Sequence, residues 1–289
     1  LREFAIAGLQ LELGNHDNIA LIEREVAQAK ARLPWVDMVV LSELSLLGVS
    51  TARAETLPGD TERRMQALAR RNDVWLIAGS LYERSGDLVY NTSSAIDRGG
   101  NVVARCRKMF PFLPYERGVA AGTECTVFDV PSVGRFGLSI CYDMWFPETT
   151  RSLVWQGAEI VIHPTLTNTI DRDAEVSIAR ANAAMNQCYF VDINGAGNLA
   201  MGRSAIFGPG GETVHLAGTG REIIAVTVDL DHVRRVRERG WNGLGQALKS
   251  FRDGPAQFPA YGDGRGRSAA LDSLGPLTMP AGRSAEKLD

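Results

Sequence analysis

A cysteine ends a strand-like run and opens a turn in the segment Gly134-Arg-Phe-Gly-Leu-Ser-Ile-Cys141-Tyr-Asp-Met-Trp-Phe-Pro147-Glu148. Residues 137–140 alternate and end on a β-branched side chain, as a strand does. Pro147 and Glu148 suit the first turn of a helix, where a missing N–H is harmless and a negative charge is favoured. A thiol at a strand-to-helix turn is stiffly held. Nearby backbone N–H groups and the helix dipole favour its thiolate, the form that attacks carbon. A buried packing cysteine fits the same pattern, because free cysteine is among the most buried residue types. On this segment alone both readings stand.

Two other segments carry groups that would serve such a nucleophile. Val39-Val-Leu-Ser-Glu43-Leu is an apolar run closing on a carboxylate. Arg105-Cys-Arg-Lys108-Met-Phe-Pro-Phe-Leu-Pro-Tyr-Glu116-Arg-Gly118 sets a lysine and a second carboxylate in a proline-broken loop. In order and context, Glu43, Lys108 and Cys141 resemble the Glu–Lys–Cys triad of the nitrilase superfamily, the carbon–nitrogen hydrolases. Ala5-Ile-Ala-Gly-Leu-Gln10 is similar to the first strand of that family, and Tyr90-Asn-Thr to the strand before its lysine. His163-Pro164-Thr165 and Ser204-Ala-Ile-Phe-Gly-Pro-Gly-Gly-Glu212 resemble two later signatures. The resemblance runs from about residue 4 to about residue 230 and leaves an atypical tail.

The resemblance implies a mechanism. Amide and nitrile carbons are poor electrophiles, so hydrolysis needs an activated nucleophile, a proton shuttle and a stabiliser for developing charge. Cys141 would form a thioester, and Glu43, its proton affinity raised by burial among Val39, Val40 and Leu41, would shuttle protons. Lys108 and the Tyr142 backbone N–H would hold the oxyanion, and Glu116 would orient the lysine and the substrate. The choice of Lys108 over Arg105 or Arg107 rests on the resemblance, and Glu116 has Arg117 as another partner. Cys106, Cys125 and Cys188 read as inert packing residues.

Neighbours of the cysteine separate branches of the family. Nitrile-hydrolysing members usually place Trp-Glu after the cysteine; Tyr142-Asp143 is closer to amidases and carbamoylases. Trp145 stands where branches acting on carboxylate-bearing substrates carry arginine, so an aromatic wall replaces a bidentate clamp. The expected activity is hydrolysis of a small amide without an adjacent carboxylate, releasing ammonia or an amine. An N-carbamoyl amine amidohydrolase similar to N-carbamoylputrescine amidases comes next, then a nitrilase. Acyl transfer uses the same residues, and a catalytically silent binding or scaffold protein is the non-enzyme alternative. Expected substrate contacts are Tyr115, Tyr142, Trp145 and Thr165, with His163 either at the pocket or in a satisfied hydrogen bond.

Composition sets the frame for this chemistry. The 289 residues are 45% hydrophobic and 22% charged, ordinary for a globular chain with a sizeable core. A net charge of -3 and no basic stripe with interleaved aromatics give no reason to expect nucleic acid. Arg63-Arg64, Arg70-Arg71 and Arg234-Arg235-Val-Arg237 read as solvated helix faces. No run reaches the roughly 18 apolar residues of a membrane span, and the first residues do not read as a signal peptide. Four scattered cysteines suggest a reducing cytoplasm rather than a disulfide framework. The four histidines lack metal-ligand spacing, so neither metal nor cofactor is expected. Gly208-Pro-Gly-Gly211 matches no phosphate loop and reads as a tight turn.

Strands are expected at 4–9, 38–41, 74–78, 91–97, 102–105, 137–140, 160–162, 189–193, 204–207 and 223–228, and helices at 18–33, 61–72, 147–156 and 172–187. Asp60 and Asp171 stand where helix starts want caps and acids. Strands alternating with amphipathic helices predict an α/β layered fold. The resemblance implies an α-β-β-α sandwich that becomes a four-layer assembly in a homodimer or larger homo-oligomer. Residues 1–250 are expected to form the hydrolase domain. Residues 251–289, rich in Gly, Pro, Ser and Ala, read as an extended, oligomer-contacting or partly disordered arm.

Overall fold

The computed structural model of the chain describes residues 3–113, 115–261 and 268–278. Leu1, Arg2, Pro114 and, from the expected arm, residues 262–267 and 279–289 lie outside them. The first sheet holds β1 (Glu3–Gln10), β2 (Met38–Leu41), β3 (Trp75–Ile77), β4 (Leu81–Ser85), β5 (Leu88–Ile96), β6 (Val102–Arg107) and β13 (Glu222–Asp229). Its order is β13-β1-β2-β3-β5-β4, with β6 also paired to β5. The second sheet holds β7 (Thr126–Val130), β8 (Gly134–Leu138), β9 (Ile160–Thr165), β10 (Tyr189–Asn194), β11 (Ala205–Phe207) and β12 (Thr213–Leu216), in the order β12-β11-β10-β9-β8-β7. Parallel pairs sit at the heart of each sheet, β1-β2-β3 in one and β8-β9-β10 in the other.

Strand periodicity assigns each side chain to a layer. Phe4, Ile6, Met38 and Val40 meet Ile160, Ile162, Tyr189 and Val191 between the sheets. Their odd-even neighbours Ala7, Leu9, Val39 and Leu41 pack outward on Ile22 and Val26 of α1 (Ile19–Arg32) and Met65 and Leu68 of α2 (Asp60–Asn72). Val161 and Phe190 pack outward on Leu153 of α3 (Pro147–Trp155) and Ala179 and Ala183 of α4 (Arg172–Asn186). Each central strand is buried on both faces, which is why its sequence reads as a continuous apolar run. The result is an α-β-β-α sandwich of mixed α/β class. The sheets approach closely at Gly8, where a Cβ would lie 2.2 Å from Ile193 Cδ1.

Pro147 occupies the first turn of α3 as its sequence suggests. Neither Asp60 nor Asp171 caps through its side chain; Asp60 and Glu62, like Asp173 and Glu175, instead place negative charge in the first turn. Strands β4, β7 and β12 do not stand out in the sequence, and each is a short end strand of its sheet, unlike the longer end strand β13. An end strand pairs on one side and mixes polar with apolar residues, as in the exposed Thr213-Val-His-Leu. Helix α5 (Leu230–Arg239) carries the arginine cluster read as helical, and α6 (Ala247–Asp253) opens the tail. There Phe251 packs edge-on against Trp155 at 5.7 Å and stacks with Phe258.

Phe136 is fully buried between the sheets, with ring centroids 5.3 Å from Phe4 and 5.6 Å from Phe128. Phe136→Ala should therefore lower unfolding free energy by about 3–5 kcal/mol in a urea titration; a loss below about 1 kcal/mol would contradict this packing.

Candidate active site

The site forms beyond the carboxyl ends of β2, β6 and β8, at the end of the sheets where α/β folds commonly place functional groups. Glu43 lies two residues past β2, Lys108 one past β6 and Cys141 three past β8. A cross-sheet bond from Glu43 N–H to the Thr165 carbonyl, 3.2 Å, ties the end of β2 to the end of β9. Gly79 lets this loop pass: its φ is +59°, and a Cβ there would sit 2.1 Å from the Ser42 carbonyl oxygen.

Lys108 is held by strand alternation. On β6, Cys106 faces the inter-sheet core, and Lys108, two residues on, turns to the same side. Arg105 and Arg107 turn the other way and form bidentate pairs with Glu62 and Glu83. Period two thus singles out the lysine from its basic neighbours. Lys108 Nζ donates to Glu43 Oε1 at 2.8 Å and Glu116 Oε2 at 2.6 Å, all three side chains being buried. Asn91 on β5 braces both acids, its amide donating to Glu43 Oε1 and Glu116 Oε1 at 2.8 Å each. The Phe112 N–H adds a 2.7 Å bond to Glu116 Oε2, so Glu116 closes the loop on the lysine rather than pairing with Arg117.

Cys141 has φ +46°, a left-handed conformation uncommon outside glycine and asparagine. Such a residue costs of order 1–3 kcal/mol and persists only where its surroundings over-determine it. Asp143 supplies much of that determination. Its Oδ1 accepts from the Met109 and Phe110 N–H groups and its Oδ2 from the Ile140 N–H, at 2.9–3.0 Å. One carboxyl therefore clamps the loop after Lys108 to the turn bearing Cys141. Burial pushes Asp143 up to about 7, against the pull of Lys108 and these N–H groups.

Electrostatics differ from the sequence expectation at the sulfur. Burial, and next the Glu43 charge, hold the Cys141 thiol well above its ordinary value, outweighing Lys108. That balance favours the thiol over the thiolate, and a short 3₁₀ turn (Cys141–Trp145) stands between Cys141 and the start of α3. Burial also raises Glu43 above the ordinary carboxylate range despite Lys108. Burial works against the Lys108 charge, but Glu116 and Glu43 overcome it and keep the ammonium protonated. The set offers a proton-bearing sulfur, a carboxylate with raised proton affinity and a fixed positive charge.

Other expected site residues fall differently. Thr165 is fully buried and its hydroxyl donates to Asp192 Oδ1 at 2.8 Å, which places it behind the site and not in its wall. The hydroxyl at the sulfur is that of Thr167, with Oγ1 3.9 Å from Cys141 Sγ. Tyr142 contacts Phe112, Trp145 and Phe146, while Tyr115 is exposed beside Phe112. Trp145 packs partly onto the outer core of the second sheet. His163 is fully buried with Nδ1 2.6 Å from Ser139 Oγ, and burial lowers it to about 4. Asn91 and Asp143 fall within the Tyr90-Asn-Thr and Tyr142-Asp143 segments that carry the sequence resemblance, which assigns neither a role, and Thr167, within Thr165-Leu-Thr-Asn-Thr, carries no sequence signal. Among the described residues, no cluster of His, Cys, Asp and Glu is arranged to hold a metal, and no helix is long and apolar enough to cross a membrane.

Comparison with known proteins places the chain in a class. The carbon-nitrogen hydrolase family model matches residues 5–238, and the chain belongs to that family. It is 27% identical over 201 residues to the human (Homo sapiens) omega-amidase NIT2, spanning 64% of this chain and 72% of that protein. It is 32% identical over 201 residues to the deaminated glutathione amidase of Dictyostelium discoideum, spanning 62% and 69%. The crystal structure of Nit3 from Saccharomyces cerevisiae, a member of branch 10 of the nitrilase superfamily, superposes with a TM-score of 0.76 at 28% identity, covering 82% of this chain and 93% of Nit3.

Asp143→Asn would turn one accepting oxygen into a donor facing a buried N–H. It should lower stability by about 1–3 kcal/mol in urea unfolding, and an unchanged midpoint would refute the clamp.

Proposed function

We propose that the chain hydrolyses a small amide lacking an adjacent carboxylate, through a thioester on Cys141. The carrying observation is the buried Lys108 ammonium fixed at 2.8 and 2.6 Å between Glu43 and Glu116, with Cys141 perturbing and perturbed by Glu43. The similarity to amidases supports amide cleavage as the reaction class. As Cys141 Sγ bonds the carbonyl carbon, its proton passes to Glu43. Glu43 then protonates the leaving nitrogen, and the C–N bond breaks to give ammonia or an amine. Water adds to the thioester while giving a proton to Glu43, which returns it to sulfur as the acid leaves. Lys108 and the Tyr142 N–H meet the oxyanion in both halves; losing one such donor typically costs about 10² to 10³ in rate. Glu116 and Asn91 keep the lysine and Glu43 in register.

The substrate preference has electrostatic support. Lys108 is taken by two carboxylates, and Arg172, fully buried near the site, is taken by Glu175 at 3.1 Å and Asp192 at 2.5 Å. Neither cation is free to clamp a substrate carboxylate. Beside the Cys141 turn, Phe112, Tyr115, Tyr142 and Trp145 form a contiguous aromatic set instead. Paired kcat/KM measurements should favour plain aliphatic amides over amides and N-carbamoyl compounds bearing an α-carboxylate. The opposite order would overturn this preference. Cys141→Ala should abolish turnover, and intact-mass spectra of Cys141-containing enzyme during turnover should show the acyl adduct; hydrolysis retained by the alanine variant would refute the mechanism.

The pH profile follows from the site charges. Glu43 must be ionised to take the thiol proton, and its raised affinity moves the acid limb above the ordinary carboxylate value of 4.5. Cys141 and Lys108 hold their protons well above 9.0 and 10.5, so neither should produce an alkaline limb below pH 9. A kcat/KM profile falling on the alkaline side between pH 7 and 9 would contradict the resting thiol.

A further inference from the structure

A second hydrogen-bonded arm reaches Cys141 from α4. Thr167 Oγ1 lies 3.9 Å from Cys141 Sγ and donates its hydrogen to Glu175 Oε1 at 3.1 Å. With that hydrogen committed, the oxygen presents a lone pair to the sulfur and accepts from S–H. Glu175 stands in the first turn of α4, and its other oxygen accepts from Arg172 Nη1 at 3.1 Å. Arg172 continues to Asp192 Oδ2 at 2.5 Å and the Arg203 carbonyl at 2.8 Å, and Asp192 takes the Thr165 hydroxyl. The Thr167 N–H is itself fixed by Asn194 Oδ1 at 2.9 Å. Thr167, Arg172, Glu175 and Asp192 are all buried. The Glu–Lys–Cys chemistry makes no use of this arm.

We propose that Thr167 and Glu175 are positioning residues for Cys141: the hydroxyl orients the sulfur, and the carboxylate behind it sets how readily the sulfur gives up its proton. This rests on the reading of Cys141 as nucleophile. Facing the sulfur from the first sheet are Glu43 and Lys108, with Glu116 behind the lysine and Tyr82 beside the acids. From the second sheet come Glu175, with its partners Arg172 and Asp192, and neutral His163 under the Cys141 turn. Cys141 thus stands between two cation-centred sets, Glu43–Lys108–Glu116 and Glu175–Arg172–Asp192. Each has two acids to one base. With all carboxylates ionised the surroundings are negative, which keeps the proton on sulfur until the substrate arrives and Glu43 takes it. The arm on the second sheet is also a geometric stop: without the Thr167 oxygen the sulfur loses a partner that fixes its rotamer.

The test uses the full chain and four variants, with iodoacetamide as the probe of the thiol. Glu175→Gln keeps shape and an acceptor but removes a negative charge, so the pH midpoint of Cys141 alkylation should move down. Thr167→Val should lower kcat by about 10- to 100-fold with KM little changed, the scale expected for a misplaced reacting group, and Thr167→Ser should restore most of it. A role confined to holding the fold would shift the urea midpoint but neither the alkylation midpoint nor the kcat-to-KM split. If folded Glu175→Gln and Thr167→Val match the parent in both readouts, the inference is wrong. Cys141→Ala separates the two levels. Loss of hydrolysis there with no effect of the arm overturns this inference alone, and retained hydrolysis overturns the nucleophile reading beneath it.

Discussion

A buried ammonium can exist in this protein because two carboxylates and an amide were brought to it together. Lys108 is 2% exposed, and an ion so far from water costs several kcal/mol unless its charge is met and its hydrogens are used. Glu43 and Glu116 meet the charge, and Asn91 holds the two acids so that their mutual repulsion does not part them. Since Glu43 comes from the end of β2, Asn91 from β5 and Glu116 from the loop beyond β6, satisfying one cation fixes three segments. Removing one acid would leave a charge unpaired in the interior, a loss of about 3–5 kcal/mol by analogy with other buried pairs. The site is therefore part of what makes this end of the first sheet rigid.

The thiol is shaped by the same surplus of acid over base. Around Cys141 the acids outnumber the cations, so the sulfur keeps its proton, and burial raises the proton affinity of Glu43. A preformed thiolate would need net positive surroundings, as at the start of a long helix. Here Cys141 opens a 3₁₀ turn that runs to Trp145, and α3 begins only at Pro147. Cys141 and Glu43 are consequently coupled, each raising or lowering the proton affinity of the other.

Strand alternation carries this arrangement into the body of the molecule. Each central strand sends one face to the inter-sheet core and the other to helices, so a residue's parity decides which layer it joins. Parity turns Lys108 inward and its two arginine neighbours to Glu62 and Glu83. It also makes the apolar core strands conspicuous in the sequence while leaving the short end strands β4, β7 and β12 faint, whereas the longer end strand β13 shows through its alternating Ile224, Val226 and Val228.

The amino-acid sequence alone determined the layered α/β class, the central strands, four of the helices and the chemical types at Glu43, Lys108, Glu116 and Cys141. These are local properties: period, turn chemistry, and an ionisable residue at the end of an apolar run. Tertiary structure decided what depends on distance across the chain. It put Asn91 between two acids 25 and 48 residues away, made Asp143 a clamp on Met109 and Phe110, gave the sulfur the hydroxyl of Thr167 and turned that of Thr165 to Asp192. It also decided the protonation of Cys141, for that depends on burial and on the sum of charges from several segments. No single stretch of sequence contains that sum.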